Sequence, residues 1–227
     1  MNVLFDNFYN FKKFGPAIKS EPVSQEILTK YKDKLPDRLL EYWQTYGFCG
    51  WGDGVFWTVN PDDYSDILSR WLQGTEFEQR ILNGVDTYHV IGVTAFGRLI
   101  IWGENSGQSI DISVNYGMLF PTDYTADLLE DGGDLTIDLF FSASSISEMD
   151  ETDIDDKPLF KPAFERLGAL ANDEMYGFVP ALALGGAPKL DNLKVVKKLE
   201  HLSFLADLGE KQVMADIVAL SNELPQD

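Results

Sequence analysis

Three short runs rich in β-branched and aromatic residues follow one another with only turn-like residues between them. The runs are YHVIGVTAF, RLIIWG and SIDISV, at residues 88–96, 98–103 and 109–114. Connections this short join antiparallel neighbours, because parallel strands need a crossover of about a dozen residues or more. The spacing therefore predicts an antiparallel meander. GMLFP, residues 117–121, is predicted to add an edge strand that ends at its proline.

Helical patterns precede the meander. The run LPDRLLEYWQTYG, residues 35–47, repeats apolar side chains every three or four positions and closes on Gly47, a residue typical of helix ends. Ser24 is placed to cap a shorter helix before it, and Asn60, followed by Pro61, to cap a helix after it. The first half of the chain is therefore predicted to hold a sheet flanked by helices.

Helical patterns return after the meander. DYTADLLEDGG, residues 123–133, and LTIDLFFSASSI, residues 135–146, predict two helices, with Asp134 capping the second. APKLDNLKVVKKLEHLSFLADLG, residues 187–209, predicts one or two more helices, ended by Gly209. The second half is therefore expected to be mainly helical.

One strand is also predicted in the second half, EMYGFV at residues 174–179. The predicted fold class is α+β: a mostly antiparallel sheet flanked by helices, followed by a mainly helical C-terminal part. We predict two domains, residues 1–122 and 123–227, with the second packed on the first. The chain has 227 residues, of which 44% are hydrophobic, so its core is large enough to fold without a metal or a disulfide. No cofactor is expected.

Negative charge is concentrated in the middle of the chain. The formal net charge is -19, and residues 99–156 contain 14 acids and no lysine, arginine or histidine. Such a surface repels the phosphates of nucleic acids and of anionic membranes, so neither is an expected direct partner. A basic protein is the expected partner, because complementary charge speeds association. The alternative is that the acids only keep the surface solvated.

Two acidic segments stand out within this base-free region. The first segment is residues 123–131, and the second is residues 148–156, which lie in a polar stretch predicted to be an exposed loop. The second segment lacks the mid-loop glycine and the terminal glutamate of an EF-hand, so it does not predict a calcium site. The candidate partner-binding residues are Asp123, Asp127, Glu130, Asp131, Glu148, Asp150, Glu151, Asp153, Asp155 and Asp156.

Glycines recur in GFCGWGDGVFWTV, residues 47–59. Glycine is frequent both where a backbone approaches a phosphate and where the chain needs a positive φ. A phosphate-binding loop follows a strand and precedes a helix, so that the helix N-terminus faces the phosphate. Here a predicted helix comes first and a predicted strand follows. The stretch is therefore predicted to be a structural turn that places Trp51 and Trp57 in or beside the core.

Few side chains are available for catalysis. His89 and His201 are the only histidines, Cys49 is the only cysteine, and no glycine-serine elbow occurs. These three residues lack the spacing of zinc ligands, so no metal site is expected. An alternative is a small-molecule enzyme with a cleft around Trp51, Asp53, Trp57 and His89.

A cytoplasmic protein is expected. The N-terminal residues MNVLFDNFYNFKKFG include Asp6 and several asparagines, where an export signal has a basic start and an unbroken apolar run. No window approaches the roughly 18 uninterrupted apolar residues of a membrane helix. A single cysteine excludes an internal disulfide, which fits a reducing compartment.

Two blocks of the chain resemble domains of one group of bacterial proteins. Residues 35–64 and 88–109, from LPDRLLEYWQTYGFCGWGDG to IIWGENSGQS, resemble the GAD-related domain. Residues 157–209, from KPLFKPAFERLGAL to LSFLADLG, resemble the C-terminal domain of immunity proteins that protect against type VI secretion DNase effectors. The blocks occur in the family's order, and together the resemblance covers about residues 8–215.

This resemblance implies an antidote that binds a co-produced basic effector toxin, a nuclease, and so prevents self-intoxication. It implies no catalytic activity, and it transfers no individual site residue to this chain. The acidic composition suits such a role, because a DNase presents a basic surface to DNA that an acidic protein can occupy. A general protein-interaction adaptor is the remaining alternative.

Overall fold

An eight-stranded sheet forms the centre of the protein. The computed structural model describes residues 2–216 and 219–220; the last residues of the predicted second domain, 217–218 and 221–227, lie outside this range. The strands of the eight-stranded sheet are β1 (Ile18–Glu21), β2 (Phe48–Trp51), β3 (Phe56–Thr58), β4 (Tyr88–Thr94), β5 (Leu99–Gly103), β6 (Gly107–Ser113), β7 (Met118–Pro121) and β10 (Gln212–Val213). A separate two-stranded sheet consists of β8 (Glu174–Phe178) and β9 (Leu193–Lys197).

The large sheet confirms the predicted meander. Its strand order is β1-β2-β3-β4-β5-β6-β7-β10, and every pair from β1 to β7 is antiparallel. The predicted edge position of residues 117–121 is wrong, because β10 pairs with β7 in parallel and covers it. A strand from the far end of the chain supplies this cover, and its pairing leaves no local signal in the sequence.

Helices lie on both faces of the sheet. The ring of Phe56 is 6.3 Å from that of Phe140, whereas the next residue, Trp57, lies against Lys198. Consecutive strand residues point to opposite faces, so these two contacts are on opposite sides. The helices are α1 (Val3–Asp6), α2 (Gln25–Tyr31), α3 (Asp37–Tyr46), α4 (Ser65–Leu72), α5 (Glu76–Leu82), α6 (Thr125–Ala143), α7 (Ile146–Met149), α8 (Phe160–Leu167) and α9 (Lys198–Ala206).

An aromatic cluster joins the start of the chain to α6. Phe5 stacks on Tyr42 of α3 with 4.0 Å between ring centroids, and it lies edge-on to Trp51 of β2 and to Phe141 of α6. Each such pair adds about 0.5–1.5 kcal/mol beyond the burial of its area. Residues from both predicted domains therefore share one core.

Part of the segment 187–209 is a strand and not a helix. Residues Leu193–Lys197 form β9, which pairs antiparallel with β8, and Tyr176 lies opposite Val195. The prediction of one or two helices holds only for α9. The fold class is nevertheless as predicted: an antiparallel-dominated sheet with flanking helices, and a mainly helical C-terminal region that also contains this hairpin.

The two helices predicted around Asp134 are present as the two halves of α6, which meet at a kink. Gly132 interrupts α6 with φ 78° and ψ 161°. Asp134 does not cap the second half of α6, because its Oδ1 accepts a hydrogen bond of 2.8 Å from the backbone N–H of Arg38. It therefore satisfies an unpaired donor in the first turn of α3, a partner 96 residues away in the chain.

The caps predicted in the first half are confirmed. Ser24 Oγ accepts from the N–H of Ile27 at the start of α2, and Asn60 Oδ1 accepts from the N–H of Asp62. Gly47 ends α3 with φ 77°. These caps are local, so the residues that specify them are adjacent in the sequence.

The glycine stretch is a structural turn, as predicted. It joins β2 to β3, with φ 56° at Gly52 and φ 97° at Gly54, a region that favours glycine. A Cβ on Gly52 would lie 2.6 Å from Cδ1 of Ile146 in α7. Trp57 donates its ring N–H to the carbonyl of Gly54 at 2.8 Å. The turn therefore seats a buried tryptophan and packs against α7.

Candidate functional site

A cavity of about 510 Å³ lies between α6, α7 and the strands β5 and β6. Its apolar wall includes Ile100 of β5, Leu139 and Phe140 of α6, and Met149 of α7. A ligand on this wall therefore meets an aliphatic and aromatic surface.

Four carboxylates and one guanidinium also line this cavity. The carboxylates belong to Asp111, Asp127, Asp131 and Glu148, and the guanidinium belongs to Arg98. Asp127 and Asp131 are one helical turn apart on α6, whereas Glu148 comes from α7. The fold thus brings parts of both acidic segments to one opening.

Arg98 connects the strands to α7. Its guanidinium donates to the backbone carbonyl of Glu148 and lies 3.4 Å from Sδ of Met149. One of its nitrogens is 3.8 Å from Oδ2 of Asp111. Since the backbone N–H of Arg98 also donates to Thr94 Oγ1 at 3.2 Å, both ends of the residue are held in place.

Asp111 is held from two sides at the base of the cavity. It lies on β6 opposite Ile100 of β5, and Gln108 donates to its Oδ1 at 2.8 Å. Burial raises the pKa of Asp111, while Arg98 and Gln108 act in the opposite direction. The carboxylate therefore carries a desolvation cost that a nearby cation reduces.

The predicted residues of the first segment have three different placements. Asp127 and Asp131 line the cavity, whereas Glu130 is exposed and is not among its lining residues. Asp123 accepts from the backbone N–H of Thr125 at 2.9 Å at the start of α6. The hydrogen bond from the Thr125 hydroxyl holds the pKa of Asp123 below its usual value.

Three residues of the second segment lie at or beside the cavity. Glu148 lines it, and its Oε2 accepts from Ser145 Oγ at 2.8 Å. Asp150 and Glu151 line an adjoining cavity of about 270 Å³ that shares Arg98 and Asp111 with the first. Burial raises the pKa of Glu151, and the nearby Arg98 opposes that rise.

Asp150 also holds the local fold. Its Oδ1 accepts from the backbone N–H of Phe160 at 2.8 Å, at the start of α8, and from the N–H of Glu151 at 2.6 Å. Burial raises the pKa of Asp150, and these backbone donors lower it. Asp150 is therefore a capping residue as well as a candidate contact.

The rest of the second segment is a self-bonded loop. Asp153 Oδ1 accepts from the backbone N–H groups of Asp155 and Lys157, which closes the loop. Asp155 and Asp156 are exposed on its outer side, and Asp156 has φ 59°. Asp153 thus shapes the loop, while Asp155 and Asp156 present charge to the solvent.

Arg98 and Asp111 were not among the predicted site residues. Arg98 is the last base before the base-free region, and this position is the only signal in the sequence that marks it. Asp111 occupies one of the polar positions in the regular alternation of SIDISV, so the pattern places it on the face of the strand opposite Ile110 and Ile112. Neither signal shows that the two residues meet beneath Glu148.

The alternative cleft around the tryptophans and His89 is not assembled. Trp51 and Trp57 are buried in the core, whereas Asp53 is exposed. Trp57 pairs with Val93 of β4, and His89 lies four residues before Val93 on that strand, so His89 is not beside Trp57. His89 instead contacts Glu104, with 2.7 Å between Nε2 and Oε1.

The residues considered for zinc are likewise apart. Cys49 is buried beside Thr58, and burial raises the pKa of its thiol to about 11. His201 packs near Gly177 and Phe204. Within residues 2–216 and 219–220, no group of three or more histidine, cysteine, aspartate or glutamate side chains is arranged to hold a metal ion.

Comparison with protein families agrees with the resemblance. Residues 4–116 match the GAD-like domain, and residues 134–209 match the family described as T6SS immunity protein Tdi1, C-terminal. The chain carries both of these domains. The second match supports a type VI secretion immunity role for this chain, and the matched family implies binding to a cognate effector.

A solved structure shares the fold of this chain. It is described as the crystal structure of Atu4351 from Agrobacterium tumefaciens, with a TM-score of 0.79 and 21% sequence identity. The alignment covers 92% of this chain and 91% of the other, so the similarity extends over the whole arrangement. A search of curated proteins finds none that matches this chain.

The two acidic segments differ in their relation to these matches. Residues 117–133 lie between the matched segments and contain the whole of the first acidic segment. Residues 148–156 lie inside the Tdi1-type match. In the part of the chain that the structure describes, no helix is both long and apolar enough to cross a membrane.

Proposed function

We propose that this protein neutralises a cognate type VI secretion effector, a DNase, by binding it in the cytoplasm and so prevents self-intoxication. The observation that carries this proposal is the match of residues 134–209 to the Tdi1 immunity-protein family. The acidic composition supports the finer assignment, because a formal net charge of -19 suits a partner whose own surface is built to attract DNA.

The proposed contact surface is the acidic side of α6 and α7. Asp127, Asp131 and Glu148 meet at one cavity, and Asp155 and Asp156 add exposed charge in the second acidic segment. Charges at the rim of an interface act mainly on the association rate. Asp123 and Glu130 belong to the same surface in this proposal, as do Asp150, Glu151 and Asp153, although the last three also hold the local fold.

Inhibition by binding requires no chemistry from this chain. We propose that it is not an enzyme, which fits the separate placements of Trp51, Asp53 and His89. We also propose that residues 1–122 and residues 123–227 form two structural units. The boundary falls in the unmatched segment 117–133, and the units share the core around Phe5 and Phe141.

The direct test is a DNA-cleavage assay with the toxin domain of a type VI secretion effector whose gene neighbours that of this chain. Stoichiometric addition of the protein should abolish cleavage, and co-expression should restore growth to cells that make the toxin domain. Polyglutamate of matched total charge is the control, since any polyanion competes weakly with DNA. Full cleavage in a large molar excess of the protein, or equal inhibition by polyglutamate, would contradict the proposal.

A further inference from the structure

The cavity between α6, α7 and the strands β5 and β6 has two unlike sides. Ile100, Phe140 and Met149 give it an apolar wall, and Asp127 and Asp131 give it an acidic rim. An arginine side chain has the matching construction, because an aliphatic stem carries a planar cation at its tip. A cavity with an apolar wall and an acidic rim therefore suits an arginine better than a purely apolar residue.

The charge on the rim is not balanced within the cavity. Of the four carboxylates that line it, Asp111 lies beside Arg98, the single base among the described lining residues. Asp127 and Asp131 are both exposed and lie on the same face of α6, where like charges four residues apart repel each other. A cation placed between them and Glu148 would relieve that repulsion.

The wall of the cavity already holds one guanidinium. Arg98 donates to the carbonyl of Glu148, touches Sδ of Met149 at 3.4 Å and faces Asp111. This arrangement shows that the local donors and acceptors suit a guanidinium. Among the carboxylates that line this cavity, Arg98 pairs with Asp111, so those of Asp127, Asp131 and Glu148 are left to face the remaining space.

We propose that this cavity receives one arginine side chain of the effector, with its stem on Leu139 and Phe140 and its guanidinium at Asp127, Asp131 and Glu148. The inference rests on the proposed function and specifies the partner chemistry at that surface. Arginine is favoured over lysine because its planar guanidinium binds carboxylates in pairs and stacks on aromatic rings, whereas an ammonium is compact and strongly hydrated. Such buried arginines are typical anchors of protein interfaces.

The probe for this proposal is N-acetyl-arginine amide, compared with N-acetyl-citrulline amide, which has nearly the same shape and no charge. NMR spectra of the protein labelled at methyl groups report binding at Ile100, Leu139 and Met149. These methyl signals should shift in millimolar arginine derivative and stay in place with the citrulline derivative. The Ile67 methyl signal, from the buried face of α4, should move in neither case. Equal shifts with both compounds, or no shift with arginine, would overturn the proposal.

Two exposed aspartates provide a matched pair of variants. Asp131→Asn and Asp66→Asn each remove one exposed carboxylate from a helix, but only Asp131 lines the cavity. Asp131→Asn should weaken binding of the arginine derivative about threefold, a change typical of an exposed ion pair, while Asp66→Asn leaves it unchanged. Equal weakening by both variants would mean general charge attraction and would contradict the proposal. Failure here leaves effector inhibition intact, whereas loss of inhibition with arginine binding retained would overturn only the proposed function.

Discussion

The first and second acidic segments have similar compositions but different roles in the structure. In residues 123–131, Asp127, Glu130 and Asp131 are exposed on α6. In residues 148–156, Asp150 caps α8 and Asp153 closes a loop. The first segment lies between the family matches and the second lies inside one. Charge alone therefore does not identify a binding surface, because some of the acids are needed for the fold.

The largest expected effect concerns the support beneath the second segment. Gly52→Ala forces a non-glycine residue to φ 56° and places its Cβ 2.6 Å from Cδ1 of Ile146, at the start of α7. We expect a loss of about 2 kcal/mol in unfolding free energy, and a fall in Tm of about 4–8 °C, measured by calorimetry. Hydrogen exchange should speed up in residues 146–156 and remain unchanged in residues 123–131.

Gly84→Ala is the control for Gly52→Ala. Gly84 has φ 65° but no neighbouring atom within 4 Å of the added Cβ, so it isolates the cost of backbone conformation. It should cost only about 1 kcal/mol. Equal losses for the two variants would show that the contact with α7 contributes nothing.

The next effect tests the cap made by Asp150. Asp150→Ala leaves the backbone N–H groups of Phe160 and Glu151 without their acceptor. Loss of a cap lowers the free energy of unfolding by about 1 kcal/mol, so Tm should fall by about 2–4 °C, measured by differential scanning calorimetry. Asp131→Ala, on the first segment, should leave Tm within error of the parent. A fall of similar size for both would remove the difference between the segments.

The pH dependence of the stability of Asp150→Asn tests whether the Asp150 carboxylate is held in a buried position. The amide keeps an oxygen acceptor but has no charge. Because burial raises the pKa of Asp150 in the folded state, ionisation costs stability in the parent as pH rises through that pKa, and protonation below the unfolded value removes the cost. The variant should therefore gain stability relative to the parent as pH rises from about 4, the ordinary pKa of an aspartate, through the raised pKa, in thermal melts. A stability difference that shrinks as pH rises would contradict a raised pKa of Asp150 in the folded state.

The first segment should dominate the rate of effector association. The double variant Asp127→Asn/Asp131→Asn should slow association with the toxin domain about fivefold at low salt, measured by stopped-flow fluorescence. The effect should disappear near 1 M salt, where screening acts over about 3 Å. Unchanged association at low salt would return these acids to the role of keeping the surface solvated.

The smallest effect is expected from the outer loop. Asp155→Asn/Asp156→Asn removes the same charge without touching Asp150 or Asp153, and asparagine tolerates the positive φ of Asp156. Association should slow about twofold or less, because these acids lie outside the cavity. A larger effect than that of the α6 pair would place the contact on the loop and reverse the comparison.

Local signals in the sequence were sufficient for much of the fold. Ser24, Asn60 and Gly47 mark helix ends because each cap involves residues within one turn. The meander follows from runs joined by turns too short for any other connection. The glycine turn was predictable because a strand follows it, where a phosphate loop has a helix, although the short strand β2 directly before it was not predicted.

Long-range pairing explains what the sequence did not show. Asp134 caps a helix 96 residues away, and β10 covers β7 from the far end of the chain. The local pattern of Leu193–Lys197 predicts a helix, but the segment forms a strand because it pairs with the strand that contains Tyr176. The acidic residues of the site could be predicted from the sequence. Their position around one cavity with Arg98 could not, because it depends on the packing of α6 and α7 against the sheet.

Hydrogen exchange of the protein with and without the toxin domain tests most directly whether the acidic side of α6 and α7 is the effector contact. Backbone amides in residues 123–131 and 146–149 should gain protection on binding, because the complex excludes water from that surface. Residues 174–197, which hold the hairpin of β8 and β9, should exchange at the same rate in both samples. Protection confined to the hairpin, with residues 123–131 unchanged, would contradict the assignment of the contact to the acidic cavity.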